Sequence, residues 1–547
     1  MMTTLGAIVA LAILCGAAPA QTTATLPNRV ASGDVLPSSA WLWTRTTCPG
    51  PVRFRFSMDP TFQVGVRTRT VNAASSAQPV KAWATGLVPG TEYHFEVRDA
   101  CGSVDVGTFR TPHRPTQRFG LRFGVSGDSR GDVMPFHSIS NVPSRELDLF
   151  VLLGDTIYAD VASPALPTVS QAQTLAEFRI KHGEVLSSFN GLNGMGDLRA
   201  STAVLATIDD HEVTNDFSGG ASPLSDPRFG TFGSYINETE LYARGLRAFV
   251  EYQPVSATYY GSTGDPRTAN KRRLYRSRRY GQDAEIFVVD ARSFRDAGLP
   301  AADPSNQASV LGFLGASFDP TRTMLGAAQL QELKGGLLEA QQLGVTWKFV
   351  MVPEPVQNLG LLAASDRFEG YAAERAELLS FIVQNGIDNV VFVAADIHGT
   401  LVNNLTYQNG PGQPQLPTGA FEITTGAIAY DSPFGPTVAG LATQLGILTP
   451  AQYSFYLSLP TPAKDALVRQ LVDAQISPLG YDLLGLEGST VQSTLLVGSY
   501  VATHVYGWTE FEVASSDGAL TVTTWGLEPG AGANGPSVVQ QFRVLPQ

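Results

Sequence analysis

Several apolar runs along the chain stop at carboxylates. Residues 147–153, 204–208 and 389–394 are largely apolar, and each is followed closely by an aspartate, while a shorter and more mixed run precedes Asp128. Continuous apolar runs of this length are typical of strands that are buried on both faces of a sheet. The pattern therefore predicts parallel strands whose carboxyl ends carry acidic side chains.

The same part of the chain alternates between strand-like and helical patterns. This alternation predicts a layered α/β domain over residues 119–530 that ends in a β-hairpin. Segments rich in Gly, Pro and Ser are predicted to be loops over the site, at 215–235, 260–270 and 405–418. The further strands are expected at 286–289 and 347–352, the helices at 171–181, 327–343, 372–383 and 462–474, and the hairpin at 507–513 and 520–525.

Residues 26–112 show a different, all-β pattern. Trp41-Leu42-Trp43 and residues 52–56 alternate with period two, and a Pro-Gly turn precedes an aromatic strand around Tyr93. This order is typical of a fibronectin- or immunoglobulin-like sandwich, in which Tyr93 would be the corner tyrosine, with its hydroxyl bonded to nearby backbone. We therefore predict an N-terminal β-sandwich followed, after a proline-containing linker at 111–118, by the layered α/β domain.

The N-terminus has the pattern of a secretory signal. An apolar run over residues 5–14 leads to Ala18-Pro19-Ala20, a cleavage pattern, although no Lys or Arg precedes the run. We predict that residues 1–20 are removed and that the protein is secreted or periplasmic. Cys48 and Cys101 then remain, either as a disulfide or as two free thiols, and export favours the disulfide. No other apolar stretch is long enough to span a bilayer.

Composition and charge narrow the function classes. The chain is 43% hydrophobic and 16% charged, which suffices for a large core, and its formal net charge is −12. A nucleic-acid-binding surface requires a basic footprint, so this balance argues against one.

The acidic strand ends predict a metal site. Ligands of open α/β sheets collect beyond the carboxyl ends of the strands, so the side chains there should share a pocket. So many carboxylates cannot lie together without cations. We predict a site of several metals with mostly hard oxygen ligands, formed from Asp128, Asp155, Asp209, Asp210 and Asp396 with Tyr158, His211 and His398.

The motifs at these positions resemble a known family. GDTIY from Gly154, DDHE from Asp209 and ADIH from Ala395 resemble the motifs of the purple-acid-phosphatase-like metallophosphatases. The DDHE form, VVDARSFR from Val288, EGYAAER from Glu369 and the opening VASGDVLPSSAWLWTR from Val30 are similar to PhoD-type alkaline phosphatases. The resemblance covers nearly the whole mature chain. It implies a metallophosphatase α/β domain and an exported, metal-dependent hydrolase of phosphate monoesters, diesters or both.

The resemblance also implies a set of ligands for a first metal. Asp128, Asp155, Tyr158 and His398 would hold this metal, and Asp155 would bridge to a second one. A tyrosinate is a hard ligand that suits iron(III). Many members of the family carry a cysteine in the first motif, and this chain has none there. This absence leaves the identity of the first metal open. Iron is preferred because Tyr158 is present, and zinc and manganese are the alternatives.

The second metal would lie among oxygen ligands. Asp210, Asp396 and Asn215 form a set that suits calcium, which takes 6–8 oxygens. Asp209 is equally consistent with direct ligation and with support of a ligand. Glu354 stands near the place of a superfamily histidine that this chain lacks, and its role is open, as is that of His504.

Catalytic roles follow from the same pattern. His211 would protonate the leaving group, oriented by Glu212. Arg130 would bind a phosphate oxygen or lie on the surface. The basic run at 271–280 is interpreted first as a solvated strand face and second as a means of attracting anionic substrate.

Other functions remain as alternatives. One is a phosphodiesterase of the phospholipase D type. The other is a non-catalytic adhesion or binding protein stabilised by calcium. The expected partners are small phosphate esters or phospholipids.

Overall fold

A computed structural model describes residues 24–547, and the predicted signal segment 1–20 lies outside these residues. The strands are β1 Val30–Leu36, β2 Ser39–Thr44, β3 Gly50–Ser57, β4 Arg67–Ala73, β5 Val80–Thr85, β6 Glu92–Arg98, β7 Val104–Arg110, β8 Leu121–Ser129, β9 Leu149–Leu153, β10 Val204–Thr207, β11 Thr258–Tyr259, β12 Arg272–Arg273, β13 Arg276–Tyr280, β14 Ala284–Val288, β15 Trp347–Met351, β16 Val390–Ala394, β17 Thr400–Tyr407, β18 Leu416–Thr424, β19 Ala427–Ala429, β20 Ser493–Val497, β21 Val501–Ala502, β22 Tyr506–Val513, β23 Leu520–Leu527 and β24 Ser537–Val544. The helices are α1 Leu175–Val185, α2 Gly194–Ser201, α3 Glu240–Tyr252, α4 Gln307–Ser317, α5 Ala327–Gln342, α6 Ala372–Gln384, α7 Phe434–Gln444, α8 Pro450–Ser458 and α9 Thr461–Ile476.

Two large sheets face each other across the main core. One has eleven strands in the order β20-β24-β23-β22-β8-β9-β10-β1-β2-β5, with β19 paired to β8, and the other has seven in the order β13-β14-β15-β16-β18-β17-β21. Helices α1–α3 cover the outer face of the first sheet, and α5 and α6 cover that of the second. The layered α/β domain predicted from the sequence is therefore present.

The buried strands explain why the apolar runs are continuous. In β9, Leu149 and Val151 face the core between the sheets, whereas Phe150 and Leu152 face the helices on the other side. Successive side chains on a strand point to opposite faces, so a strand covered on both sides needs apolar residues at every position.

The N-terminal segment forms the predicted β-sandwich, but one of its sheets continues into the large sheet. Strands β4-β3-β6-β7 make one layer, while β1, β2 and β5 extend the eleven-stranded sheet through a parallel pair between β1 and β10. At this junction Gly33 lies opposite Val204. A Cβ on Gly33 would be 2.6 Å from the Val204 carbonyl oxygen, so only glycine permits the approach.

A buried ion pair links β1 to the seven-stranded sheet. Asp34 of β1 accepts from Arg276 at 3.0 Å and lies 3.1 Å from Arg278, both on β13. Burial opposes ionisation of Asp34, but the two arginines outweigh it and lower its pKa. The basic run was expected to form a solvated strand face. This prediction is wrong for Arg276, which is buried and neutralises Asp34.

Local features agree closely with the sequence patterns. The Tyr93 hydroxyl accepts from the Val88 backbone N–H at 3.0 Å, as expected of a corner tyrosine. The C-terminal hairpin forms from β22 and β23. Helix α1 begins at Leu175 rather than near 171, because Thr174 caps it in a reciprocal contact with Glu177.

The predicted disulfide between Cys48 and Cys101 is present and closes a sequence separation of 53 residues. A cross-link of this span should stabilise the fold by about 4 kcal/mol, since it restricts the unfolded chain. The double change Cys48→Ser/Cys101→Ser should therefore lower the urea concentration at which the N-terminal strands unfold. Urea unfolding followed by fluorescence, with reduced wild type as the control, measures the shift. Equal midpoints in the variant and in oxidised wild type would show that the cross-link contributes nothing to stability.

Among residues 24–547, none of the helices combines the length and the apolar character that crossing a bilayer requires.

Candidate metal centre

The acidic motifs meet where parallel strands of both sheets end. β8, β9 and β10 are mutually parallel, as are β14, β15 and β16. Their carboxyl ends lead into the segments that carry the predicted residues. Gly154 allows two of these segments to touch, because a Cβ there would be 2.6 Å from the Asp209 Cβ.

One side of the centre brings together Asp128, Tyr158 and His398. The Tyr158 hydroxyl lies 3.3 Å from His398 Nε2, and the same nitrogen lies 3.6 Å from Asp128 Oδ1. Burial, with the charge of His211, lowers the pKa of His398 to about 3, so its ring is neutral, the form that binds metals. An aspartate, a phenol and a neutral imidazole are therefore in place around one point.

The other side is a cluster of carboxylates. Three groups present ligand atoms that all lie within 4.8 Å of one another: Asp155 with Asp210 and His211; Asp210 with Asp216 and Asp366; and Glu354 with Asp366 and Asp396. Asp210 and Asp366 each belong to more than one group, so the three form a continuous acidic surface.

These carboxylates lack the partners that buried charges require. Both oxygens of Asp128, one of Asp210 and one of Glu354 are buried without a hydrogen-bond donor. Burial, together with the charge of Asp396, raises the pKa of Asp128 well above its usual range, and burial with Asp210 does the same for the pKa of Asp155. Such groups stay ionised only when cations neutralise them. The residues thus fit bound metal ions, with an Asp-Tyr-His environment on one side and an oxygen-rich one on the other.

Backbone strain coincides with this centre. Asp128, Asp155, Asp396 and His398 have φ values of 57°, 48°, 67° and 60°, in the left-handed region that non-glycine residues rarely adopt. Such strain costs on the order of 1–3 kcal/mol per residue and is concentrated at functional sites. The strand-to-loop turns therefore aim these side chains at a cost that the surrounding fold has to offset.

Arg292 is the main cation of the acidic cluster. It is fully buried, with Nε 2.7 Å from Asp209 Oδ1, Nη1 2.8 Å from Asp366 Oδ1 and a contact to Glu354. Arg295 adds a contact of 2.7 Å to Asp366. Both arginines lie in the VVDARSFR string, and both bind carboxylates of the cluster. Asp209 is held by Arg292 and belongs to none of the three candidate groups, which favours a supporting role.

His211 faces the cluster with one nitrogen and is held by the other. Nδ1 lies 2.6 Å from Asp160 Oδ1, and Nε2 lies 3.8 Å from Asp210 and 4.0 Å from Asp155. Burial lowers its pKa, but the charges of Asp210 and Asp160 outweigh burial and raise the pKa to about 9. His211 therefore carries a proton at neutral pH and directs Nε2 towards the centre.

Glu212 does not orient His211, contrary to the expectation from the DDHE motif. Its carboxylate accepts from the Thr156 backbone N–H and hydroxyl, each at 2.6 Å, and from the Asp209 N–H at 2.9 Å. Glu212 instead ties the segment after β9 to the segment after β10. Asp160 orients the ring instead. Its carboxylate contacts Nδ1 of His211, although the two residues are far apart in the chain.

Arg130 and His398 both lie close to the ring of Tyr430. Its guanidinium carbon is 5.2 Å from the centre of the Tyr430 ring, and that ring is 3.8 Å from His398. Arg130 binds Asp132 through Nε and Nη2, at 2.8 and 2.6 Å, and Asp431 through Nη1 at 2.8 Å. A surface position is excluded by its burial.

Asn215 lies beside the centre, whereas His504 lies away from it. The Asn215 backbone N–H donates to Asp160 at 2.7 Å and Asn215 is exposed, so its role as a ligand stays a prediction. His504 lies between Asp465, at 2.7 Å from Nδ1, and the Tyr456 hydroxyl, at 2.7 Å from Nε2. It thereby joins α8 and α9 to the strand region and does not face the acidic cluster.

Several residues of the centre were not predicted to act there. Asp160 ends the GDTIYAD string, and its spacing from Tyr158 is the only signal that could have identified it. Asp216 follows DDHE in the same segment, whereas Asp366 and Tyr430 lie in loops without a recognisable motif. Their positions depend on contacts between distant parts of the chain.

Two family models match separate parts of the chain. Residues 125–446 match the model of the PhoD-like phosphatase family, and residues 13–113 match that of the PhoD-like phosphatase N-terminal domain. Alkaline phosphatase D of Bacillus subtilis (strain 168) is 25% identical over 409 residues, which are 69% of this chain. The match spans 65% of the length of that relative.

Solved structures agree at the level of the fold. A structure of PhoD superposes with a TM-score of 0.68 at 20% identity, over 95% of this chain and 90% of that one. A purple acid phosphatase from yellow lupin (Lupinus luteus) seeds aligns more loosely, with a TM-score of 0.49 at 10% identity over 94% of this chain and 73% of that one. The looser likeness carries no weight for function. Because the match over residues 125–446 spans more than half of the 547 residues, the protein belongs to the PhoD-like phosphatase family.

Proposed function

We propose that the protein is an exported, metal-dependent phosphoesterase that hydrolyses phosphate monoesters, phosphate diesters or both. The observation that carries this proposal is the set of buried carboxylate oxygens without partners, at the strand ends beside His211. The name of the Bacillus subtilis relative, alkaline phosphatase D, supports the same reaction class.

Two groups of residues would hold the metals. Asp128, Asp155, Tyr158 and His398 would form the first site. The second would use Asp155, Asp210, Glu354 and Asp396, with Asn215 as a further candidate. Bound cations would supply positive charge for the phosphoryl oxygens and lower the pKa of a coordinated water.

The chain's own groups carry the remaining steps. His211 Nε2 holds a proton within reach of the centre and would donate it to the departing oxygen, while Asp160 keeps the ring in that orientation. Arg292 holds Asp209, Glu354 and Asp366 in place. Arg130 is the cation near His398 that would contact a phosphoryl oxygen.

The donor sets favour different metals. Tyr158 with His398 and Asp128 suits iron(III), since phenolate is a hard anionic ligand; zinc and manganese remain alternatives. Asp210, Glu354 and Asp396 offer oxygen atoms only, which suits calcium.

Chelation should separate the two metals. EGTA should abolish hydrolysis of 4-nitrophenyl phosphate and of bis(4-nitrophenyl) phosphate, and added calcium should restore it, because calcium exchanges from oxygen sites more readily than iron from a tyrosinate. The protein should keep a visible absorption band from the tyrosinate–iron(III) pair throughout. Elemental analysis and absorption spectra measured beside the rates test both parts.

The outcomes of this experiment are distinct. A colourless active protein that zinc alone restores would contradict the choice of metals but leave the phosphoesterase intact. No hydrolysis of either ester by protein loaded with iron and calcium, with zinc or with manganese would refute the proposed function itself.

A further inference from the structure

Arg130 is held by two carboxylates of very different exposure. Asp132 binds two nitrogens of the guanidinium and has a side chain that is 27% exposed. Asp431 binds only Nη1, at 2.8 Å, and its side chain is 69% exposed. A mostly exposed ion pair contributes about 0–1 kcal/mol, so the Asp431 contact is the one that a ligand displaces at little cost.

The position of this pair makes its charge relevant to the substrate. Asp431 directly follows Tyr430, whose ring lies 3.8 Å from His398 and 5.2 Å from the ring of Tyr158. The guanidinium carbon of Arg130 lies 5.2 Å from the centre of the same Tyr430 ring. Asp132 already holds Nε and Nη2, so a phosphoryl group that binds Arg130 competes with the carboxylate of Asp431 for Nη1.

The charges around Arg130 do not balance. One guanidinium carries a single positive charge, whereas Asp132 and Asp431 together carry two negative ones. These three side chains together carry one negative charge for as long as Asp431 stays in place. An incoming anion is repelled by this excess in proportion to its own charge.

We propose that Asp431 is a specificity-determining residue, whose carboxylate occupies the Nη1 edge of Arg130 and disfavours dianionic phosphate monoesters relative to monoanionic phosphate diesters. The inference rests on the phosphoesterase activity proposed above. A monoester has a second pKa near 6 and is a dianion at alkaline pH, whereas a diester keeps one charge. The diester is therefore repelled less by Asp431 and competes with it for Arg130 under a smaller penalty.

The test is the change Asp431→Asn, which removes the charge and keeps the shape. Values of kcat/KM are measured at about pH 8.5 for 4-nitrophenyl phosphate and bis(4-nitrophenyl) phosphate, which share a leaving group. The ratio of monoester to diester kcat/KM should rise about fivefold, the factor expected for one screened charge at short range. The inhibition constant of inorganic phosphate, itself a dianion, should fall by a similar factor.

Two further variants control for other effects. Asp431→Glu retains the charge and should keep the wild-type ratio. Asp517→Asn removes a half-exposed partner of Arg543 in the C-terminal hairpin, and it should change neither the ratio nor phosphate inhibition.

The outcomes separate this inference from the proposed function. Wild-type protein that hydrolyses neither ester refutes both. Active wild type with an unchanged ratio and unchanged phosphate inhibition in Asp431→Asn refutes only the role of Asp431. An equal gain on both esters refutes it as well, because charge discrimination requires the monoester to gain more.

Discussion

Asp155→Asn should reduce hydrolysis by at least about 10³-fold and deplete both metals, the largest effect that we expect of a single change. Asp155 lies between the Asp128 side and the Asp210 side, and its Oδ1 also accepts from the His211 backbone N–H at 3.2 Å. Its loss should therefore be felt at both metals. Asparagine tolerates the positive φ of 48° at this position, so a loss of activity in the variant cannot be attributed to backbone strain.

Stability gives a second readout for the same change. Without metals, burial and the neighbouring carboxylates make ionisation of Asp155 unfavourable, and asparagine avoids this cost, so metal-free Asp155→Asn should unfold at the same temperature as metal-free wild type or above it. Added calcium and iron should raise the unfolding temperature of the wild type more than that of the variant, because only bound ligands stabilise the folded state in this way. Elemental analysis and thermal unfolding are measured together.

A matched control is available in the same fold. Asp283 is equally buried, but it accepts from the Phe119 and Gly120 backbone N–H groups at 2.8 and 3.0 Å, away from the acidic cluster. Asp283→Asn should keep its metals and its activity. Full metal occupancy in folded, active Asp155→Asn would reject the bridging role.

His211→Ala should have the second largest effect, and its size should depend on the leaving group. A general acid contributes roughly 10²–10⁴-fold when the departing oxygen is basic. Alkyl phosphates should therefore lose most of their rate, whereas 4-nitrophenyl esters, which need little protonation, should be partly spared. The metal content should stay nearly normal, because His211 has no obligatory ligand role in either proposed site.

Asp160→Asn makes the assignment sharper. This change keeps the ring of His211 but removes the carboxylate 2.6 Å from its Nδ1. It should show the same dependence on the leaving group with a smaller loss. Equal losses of alkyl and aryl esters in His211→Ala would indicate phosphate binding instead of proton donation, and depleted metal would indicate ligation.

Much of the fold was predictable because its signals are local. A strand covered on both faces needs an apolar residue at every position, so β9, β10 and β16 appear in the sequence as uninterrupted runs. Turn chemistry and capping residues sit next to the elements they end, which placed the C-terminal hairpin and the corner tyrosine. The start of α1 was missed because the capping contact of Thr174 outweighs the helical pattern before it.

The junction between the N-terminal strands and the large sheet was not predictable. It depends on Gly33 lying against Val204, a partner that is far away in the sequence, and the ion pair of Asp34 with Arg276, which links β1 to the seven-stranded sheet, is equally long-range. A composition shift shows where an all-β segment ends, but it does not show that β1 pairs with β10.

The sequence by itself determined which strand ends carry acidic residues and that Tyr158, His211 and His398 accompany them, because these features lie within single short motifs. Only the tertiary structure decided how the carboxylates are neutralised and oriented. Arg292 follows β14, whereas Glu354 and Asp366 follow β15, so they meet only when these distant strands pair. Tyr430 and Asp431 reach Arg130 in the same way. Long-range contacts leave no periodic trace in a chain, so the electrostatics of the centre emerge only in the folded protein.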